Sequence, residues 1–161
     1  MAQLLIVHHS PTPSMRALTE SVIAGARDES ITGVQVRPVP ALETTAADVL
    51  AADALVLGTP ANFGYMSGAL KHFFDSTFMH IGGAPDAERS TETNAGGALP
   101  FGMYVHGRHD TTGAVRSVTS IVGALPWIQS APALEIIGDV SAEHHERAYE
   151  LGATLAALIS Q

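Results

Sequence analysis

Residues 57–77 read LGTPANFGYMSGALKHFFDST, from Leu57 to Thr77, and set a loop punctuated by glycine and proline between an apolar strand and a helix. The strand, Ala54 to Leu57, is an unbroken apolar run, which is typical of a strand covered on both faces. Open α/β sheets hold ligands in loops at the carboxyl ends of such strands. Gly58, Pro60 and Gly64 leave an edge poor in side chains, so we expect a planar ligand to approach the backbone here.

Outward from this stretch, apolar periodicity predicts strands and helices in alternation along the whole chain. The predicted strands are Gln3 to His8, Gly33 to Val39, Ala54 to Leu57, Leu99 to Val105 and Leu134 to Ile137. The predicted helices are Met15 to Arg27, Thr45 to Ala51, one directly after the opening loop, Gly113 to Leu125, and a last helix capped by Ser141. This order predicts a three-layer α/β sandwich around a five-stranded parallel sheet, with one ligand crevice where the strand order reverses.

Each long helix is expected to bury one row of apolar side chains. The rows are Met15, Leu18, Val22 and Ala26; Met66, Leu70, Phe73 and Phe74; Val115, Val118, Val122 and Leu125; and Leu151, Leu155 and Leu158. The stretch from Met79 to Ala98 lacks periodicity, so we expect it at a surface, either as an ordered lid and subunit contact or as a mobile loop.

The composition narrows the classes of function. The 161 residues are 46% hydrophobic, which fits a single domain over residues 1–161. Eight Lys and Arg against sixteen Asp and Glu, without a basic cluster, argue against nucleic acid and anionic membranes as partners. The absence of cysteine excludes disulfides and thiolate catalysis and fits a cytoplasmic protein. No apolar run approaches the roughly 20 residues of a membrane span, and no signal peptide is expected.

Three loops are expected to meet at the crevice, those after the first, third and fourth strands. The first, from Ser10 to Arg16, carries hydroxyls at Ser10, Thr12 and Ser14 before a helix, and such hydroxyls with free N–H groups suit a phosphate. The same residue types are ordinary in turns and helix starts, so both interpretations stay open. The loop is neither a Walker A nor a G-x-G-x-x-G sequence, which disfavours ATP and a conventional dinucleotide site.

The third loop, from Val105 to Gly113, offers His106, Arg108 and His109 as polar groups. Together with the second loop it is expected to wall a planar ring, with Phe63 or Tyr65 stacking and His106 or Arg108 donating hydrogen bonds. The alternatives are packing of the aromatic side chains within the loops and an ordinary solvated polar loop.

These residues resemble the flavodoxin-like flavoproteins, most closely the NAD(P)H-dependent FMN reductases and quinone reductases. The segment G-T-P-x-x-F-G-x-M-x-G with a following F-x-D, familiar in that branch, stands here as Gly58, Thr59, Pro60, Phe63, Gly64, Met66, Gly68, Phe73 and Asp75. The first loop is similar to the family's S-x-T-G-x-T phosphate loop, with Pro13 at the glycine and Met15 at the last hydroxyl. The resemblance implies a flavodoxin-like sandwich with strand order 2-1-3-4-5.

The resemblance also implies a cofactor and an activity. FMN is expected to bind through three groups of residues: Ser10, Thr12, Ser14, Met15 and Arg16 at the phosphate; Pro60, Ala61, Asn62, Phe63 and Gly64 at the ring; and His106, Gly107 and Arg108 on its other side. NADPH or NADH is the implied hydride donor and a quinone or other small molecule the acceptor, with no catalytic side chain needed. A homodimer or homotetramer is implied, with His80 to Asn94 as candidate contact.

Two other functions fit the same resemblance. A flavodoxin-type electron-transfer protein would use the acidic net charge to dock on a basic redox partner. A flavin-free binding module is the second, since Pro13 removes one backbone N–H from the phosphate loop. Metal binding is not expected, because two histidine clusters, His106 with His109 and Asp110 and His144 with His145 and Glu146, lack a firmly placed third ligand.

Overall fold

The computed structural model describes residues 1–83 and 98–161 as a parallel sheet with helices on both faces. The strands are β1 (Ala2–His8), β2 (Val34–Pro40), β3 (Ala54–Asn62), β4 (Tyr65–Met66), β5 (Leu99–Gly107), β6 (Trp127–Gln129) and β7 (Leu134–Ile137). The helices are α1 (Pro13–Ala26), α2 (Ala46–Leu50), α3 (Gly68–Thr77), α4 (Thr112–Val122) and α5 (Ala142–Ile159), with 3₁₀ turns at Ala41–Glu43 and Phe78–His80.

The sheet has the order β2-β1-β3-β5, and its far edge is shared by two short strands. β6 pairs with Leu99–Phe101 and β7 pairs with Tyr104–Gly107, both parallel to β5. Counted as one interrupted edge strand, they confirm the predicted order 2-1-3-4-5. The predicted total of five strands is wrong, because β6 and the antiparallel β4 were not anticipated. Both are too short to show a period of two.

Alternation along each strand divides the apolar side chains between two cores. On β1, Leu5 and Val7 pack beneath α3 and α4, whereas Leu4 and Ile6 pack beneath α1 and α5. The unbroken apolar runs of β1 and β3 are therefore covered on both faces, as the sequence predicted.

Polar side chains cap the starts of α1 and α5. Thr12 accepts a hydrogen bond from the Met15 N–H at 3.2 Å and Pro13 occupies the first turn of α1. Ser141 caps α5 as predicted, in a reciprocal pair with His144.

Most predicted bounds of the helices and strands shift by one or two residues. The larger differences are that β3 continues to Asn62 and that α4 ends at Val122, where Gly123 forms the cap and Pro126 follows.

The predicted apolar faces of α1 and α3 are buried, while those of α4 and α5 need correction. Val115 is only half-buried. Leu158 is 55% exposed, since Ile159 instead packs on the core at the last turn of α5. Of the stretch from Met79 to Ala98, residues 84–97 lie outside the described residues. The predicted subunit contact from His80 to Asn94 falls mostly among them.

Candidate functional site

The second loop is a continuation of the sheet rather than an irregular loop. β3 runs on to Asn62, turns through Phe63 and Gly64, and returns as β4, with Asn62 paired to Tyr65. Both turn residues have positive φ, 51° at Phe63 and 72° at Gly64, which is the geometry of a two-residue type I′ hairpin. The Phe63 side chain is fully exposed at the tip. A phenylalanine in this conformation is strained, which is why sequence propensity did not indicate the hairpin.

Buried hydroxyls hold the hairpin in place. The Thr59 hydroxyl donates to the Pro60 carbonyl at 2.8 Å and accepts from the Ser67 N–H at 2.9 Å. The Ser117 hydroxyl of α4 accepts from the Met66 N–H at 3.1 Å. The hairpin is thus anchored to the start of α3 and to the middle of α4, and a ligand resting on it would meet a preformed edge.

The third loop packs directly against the hairpin through glycines. A side chain at Gly113 would run into the Gly64 carbonyl. A Cβ at Gly107 would lie 2.9 Å from the Asp110 carbonyl and 3.2 Å from the Ala61 Cβ. The structure therefore brings together the second and third loops, as the sequence predicted.

His106 and Arg108, the predicted donors of the third loop, have partners within the chain. His106 is 6% exposed, and its Nε2 donates to the Gly138 carbonyl at 2.7 Å, so only its Nδ1 remains for another contact. Arg108 is exposed and pairs with Asp139 at 3.0 Å. The Asp110 carboxylate accepts hydrogen bonds from the N–H and the hydroxyl of Thr112. These two bonds lower the pKa of Asp110.

The first loop leads into the N-terminus of α1 and carries no carboxylate in the first helical turn. Thr12 and Arg16 are exposed, Ser10 and Ser14 half-buried. Within the described residues the Ser14 hydroxyl has no hydrogen-bond partner, and the Arg16 guanidinium donates to the Pro11 carbonyl at 3.2 Å. The Met15 side chain is fully buried in the core, so only the backbone of Met15 is available to a ligand.

A chain of four polar side chains runs from this loop into the core. Ser10 Oγ lies 2.8 Å from His8 Nδ1 and 2.8 Å from Thr19 Oγ1, and Thr19 Oγ1 lies 2.6 Å from the Tyr104 hydroxyl. Burial raises the pKa of Tyr104 far above its usual range. Burial, together with repulsion from His9, lowers the pKa of His8. We call these four residues the polar chain.

The sheet register explains the polar chain, which the sequence analysis missed. His8, Gly58 and Tyr104 occupy one row across β1, β3 and β5, so the side chains of His8 and Tyr104 point to the same face. Gly58 contributes no side chain, so the Tyr104 ring lies against its backbone. The available sequence signal was Thr19, a hydroxyl on the otherwise apolar face of α1.

The second histidine cluster, His144 with His145, makes hydrogen bonds within the chain. His145 Nδ1 lies 2.7 Å from the Ser21 hydroxyl, and His144 Nδ1 accepts from the Ser141 N–H at 3.1 Å. In residues 1–83 and 98–161, no three His, Cys, Asp or Glu side chains are placed to share a metal ion. No helix of those ranges combines the length and apolarity needed to cross a membrane.

Comparison with known proteins identifies a family. The sequence model of the NADPH-dependent FMN reductases matches residues 15–135. A flavodoxin of Aquifex aeolicus is 33% identical over 105 residues, which are 65% of this chain and 56% of the relative. An NAD(P)H dehydrogenase (quinone) of Acidithiobacillus ferrooxidans is 32% identical over 97 residues, 48% of each chain. The chain thus spans about half the length of these two curated relatives.

Solved structures show the fold. A flavodoxin from the domain Archaea superposes with a TM-score of 0.76 at 14% identity, covering 96% of both chains. At this identity the likeness supports the three-layer architecture alone.

Proposed function

The chain belongs to the NADPH-dependent FMN reductase family, and from this we propose that it binds FMN, accepts hydride from NADPH or NADH and reduces a small quinone-like molecule. The observation that carries the proposal is the convergence of three loops at the carboxyl ends of β1, β3 and β5, two of them packed on each other through glycines. Parallel sheets bind ligands at this edge. When bound, FMN supplies the hydride-accepting chemistry.

The phosphate is assigned to the first loop. Ser10, Thr12, Ser14 and Arg16, with the backbone of Met15, surround the N-terminus of a 14-residue helix whose first turn holds no carboxylate. The positive end of the helix dipole and the Arg16 guanidinium both favour an anion. Pro13 contributes no N–H, and the next residue supplies the Ser14 hydroxyl, which has no hydrogen-bond partner within residues 1–83 and 98–161.

The planar ring is assigned to the hairpin and the third loop. Pro60, Ala61, Asn62, Phe63 and Gly64 supply a rigid edge whose outermost part, from Asn62 to Gly64, is exposed. The fully exposed Phe63 is available to stack on an aromatic ligand. Across from it, the group from His106 to Arg108 adds polar atoms whose positions are fixed by Gly138 and Asp139. These residues orient the ring, and no side chain is required as an acid or a base.

Anaerobic absorbance spectroscopy tests the proposal. We expect added FMN to bind the purified protein and its visible absorbance to bleach on addition of NADPH or NADH, then to return when a quinone is added. Free FMN at the same concentration is the control. Failure of both nicotinamides to bleach the bound flavin would contradict the reductase assignment.

A flavodoxin-type electron carrier is the second candidate. The similarity to the Aquifex aeolicus flavodoxin and the net charge of −8 favour it. A carrier would bind FMN and exchange electrons with a basic redox protein, with strong dependence on ionic strength, but it would not oxidise NADPH. A flavin-free binding module would bind no FMN at all, so a titration with FMN distinguishes this third function from the other two.

We also propose that the protein forms a homodimer or homotetramer and is cytoplasmic. Light scattering on the purified chain, with and without FMN, measures the mass in solution. A monomer under both conditions would contradict the proposed assembly.

A further inference from the structure

The hydrogens of the polar chain run in one direction when neutral His8 carries its proton on Nε2. Tyr104 is completely buried, and within the described residues the hydrogen-bond partner of its hydroxyl is Thr19 alone. If Thr19 donated to Tyr104, the phenolic proton would be buried without an acceptor, which is unfavourable. Tyr104 therefore donates to Thr19, and Thr19 in turn donates to Ser10.

Ser10 then donates its own proton to His8. Its oxygen already accepts from Thr19 at 2.8 Å, and the remaining partner is His8 Nδ1, also at 2.8 Å. The direction of this bond depends on the tautomer of the ring, and we assign the proton of neutral His8 to Nε2, so that Nδ1 accepts from Ser10. In this state Ser10, at the start of the phosphate loop, has no hydrogen left to offer a ligand.

Protonation of His8 reverses the last bond. The imidazolium Nδ1 becomes a donor to Ser10. Ser10 now accepts from both His8 and Thr19, so its hydroxyl hydrogen is released toward the first loop. A positive charge appears beside the loop at the same time. One proton on His8 thus redirects the Ser10 hydroxyl hydrogen from His8 to a ligand at the first loop.

We propose that His8 is a positioning residue that sets the affinity of the first loop for a phosphate group by controlling whether Ser10 donates to it. This rests on the proposed function, which places the FMN phosphate at that loop. The protonated form of His8 is the high-affinity form, and phosphate binding carries a proton into the protein.

The surroundings of His8 give this linkage its sign. Its neighbours in the sheet, Pro40 and Gly58, are uncharged, and α1 and β5 contribute the hydroxyls of Thr19 and Tyr104 to the polar chain. Burial and repulsion from the adjacent His9 lower the pKa of His8, and Arg16 is an exposed cation of the first loop.

A bound phosphate supplies an opposing negative charge and raises the pKa of His8. Affinity therefore increases as the pH falls through the titration of His8.

The test compares FMN and riboflavin binding between about pH 5.5 and about pH 8, where histidine titrates. The proteins are the wild type, His8→Leu and the control His145→Leu, which removes a similar histidine–serine contact from the α1–α5 interface. Riboflavin lacks the phosphate and isolates the ring. Because ionisation of the phosphate itself is common to all proteins, ratios between proteins cancel it.

We expect the FMN affinity ratio of wild type to His8→Leu to change about tenfold over this range, which corresponds to a one-unit pKa shift on binding. At high pH the variant binds FMN more tightly than the wild type, since Ser10 is freed, and at low pH more weakly. His145→Leu follows the wild type, and riboflavin affinity is equal in all three.

A spectroscopic readout keeps the test independent of the stability of the variant. In the wild type, NMR of the histidine ring nitrogens should show an unprotonated Nδ1 in His8 at neutral pH. Inorganic phosphate or FMN should raise the pKa of His8, and Ser10→Ala should reduce that increase. If the FMN affinities of the wild type and His8→Leu change in parallel with pH, the proposed role of His8 is wrong, while the proposed function stands. A folded wild type that binds no FMN at any pH would overturn the proposed function as well.

Discussion

The aromatic ring of Tyr104 lies against the backbone of Gly58, in the space that any other residue at position 58 would fill with its side chain. This contact lets the Tyr104 hydroxyl cross the adjacent strand and reach Thr19 on α1. The glycine that begins the G-T-P segment therefore serves the core beneath the site as well as the loop above it.

Gly58→Ala should destabilise the fold by about 1–3 kcal/mol, because the added methyl overpacks the Tyr104 ring. Urea denaturation measures the change. The matched control is Gly68→Ala at the start of α3, where an added Cβ meets no atom within 4 Å. We expect the control to be neutral or slightly stabilising. Equal losses in both variants would show that the Tyr104 contact is not responsible.

Leu155→Ala should cost about 2–5 kcal/mol of unfolding free energy, since the Leu155 side chain of α5 is completely buried. Leu158→Ala, one turn later on the same helix, should cost less than about 1 kcal/mol because that side chain is 55% exposed. Chemical denaturation of the two variants tests the corrected burial of α5. A large loss in Leu158→Ala would indicate that this side chain is covered in solution.

Phe63→Asn should raise stability by about 0.5–1 kcal/mol, because Asn-Gly suits the two positive φ angles of a type I′ turn. If Phe63 stacks on the flavin ring as proposed, the same variant should bind both FMN and riboflavin more weakly. Denaturation and flavin titration on one preparation separate these effects. Phe63→Ala serves as the control that removes the ring without relieving the strain, and a loss of stability in Phe63→Asn would contradict the hairpin geometry.

Asp28 should contribute to stability at neutral pH and lose that contribution in acid. Hydrogen bonds from the Ser30 and Tyr149 hydroxyls and the Ser30 N–H lower the pKa of Asp28 to about 2. In the unfolded chain its pKa is about 3.9, so the contribution is complete above that value and disappears as the pH falls toward the folded value. In Asp28→Asn the stability should depend less on pH between about 4 and about 2. Denaturation at a series of pH values would show an unchanged slope if these bonds were absent in solution.

Several features followed from the sequence because they depend on neighbours along the chain. Apolar periodicity located the helices, and the unbroken runs at β1 and β3 indicated strands covered on both faces. The segment from Gly58 to Asp75 carried the family resemblance, which the match to the FMN reductase family confirms. The cap at Ser141 was equally local, since its hydroxyl bonds only three residues ahead.

Other features were decided by the tertiary structure. The turn at Phe63 opposes the local preference of phenylalanine and is held by bonds to Thr59, Ser67 and Ser117. β6 and β7 share one edge only because β5 is long enough to pair with both in turn. The Nε2–H of His106 donates to the carbonyl of Gly138, 32 residues away in sequence.

The opening segment, read alone, indicated a strand, an edge that exposes the backbone and a helix, and from these we predicted a site for a planar ligand. It did not determine which donors face that ligand. Ser10 looked like a free hydroxyl of a phosphate loop, yet it belongs to a chain of hydrogen bonds in which Thr19 and Tyr104 are 85 positions apart. Sheet register places His8, Gly58 and Tyr104 in one row, and a row across three strands has no signature in any one of them.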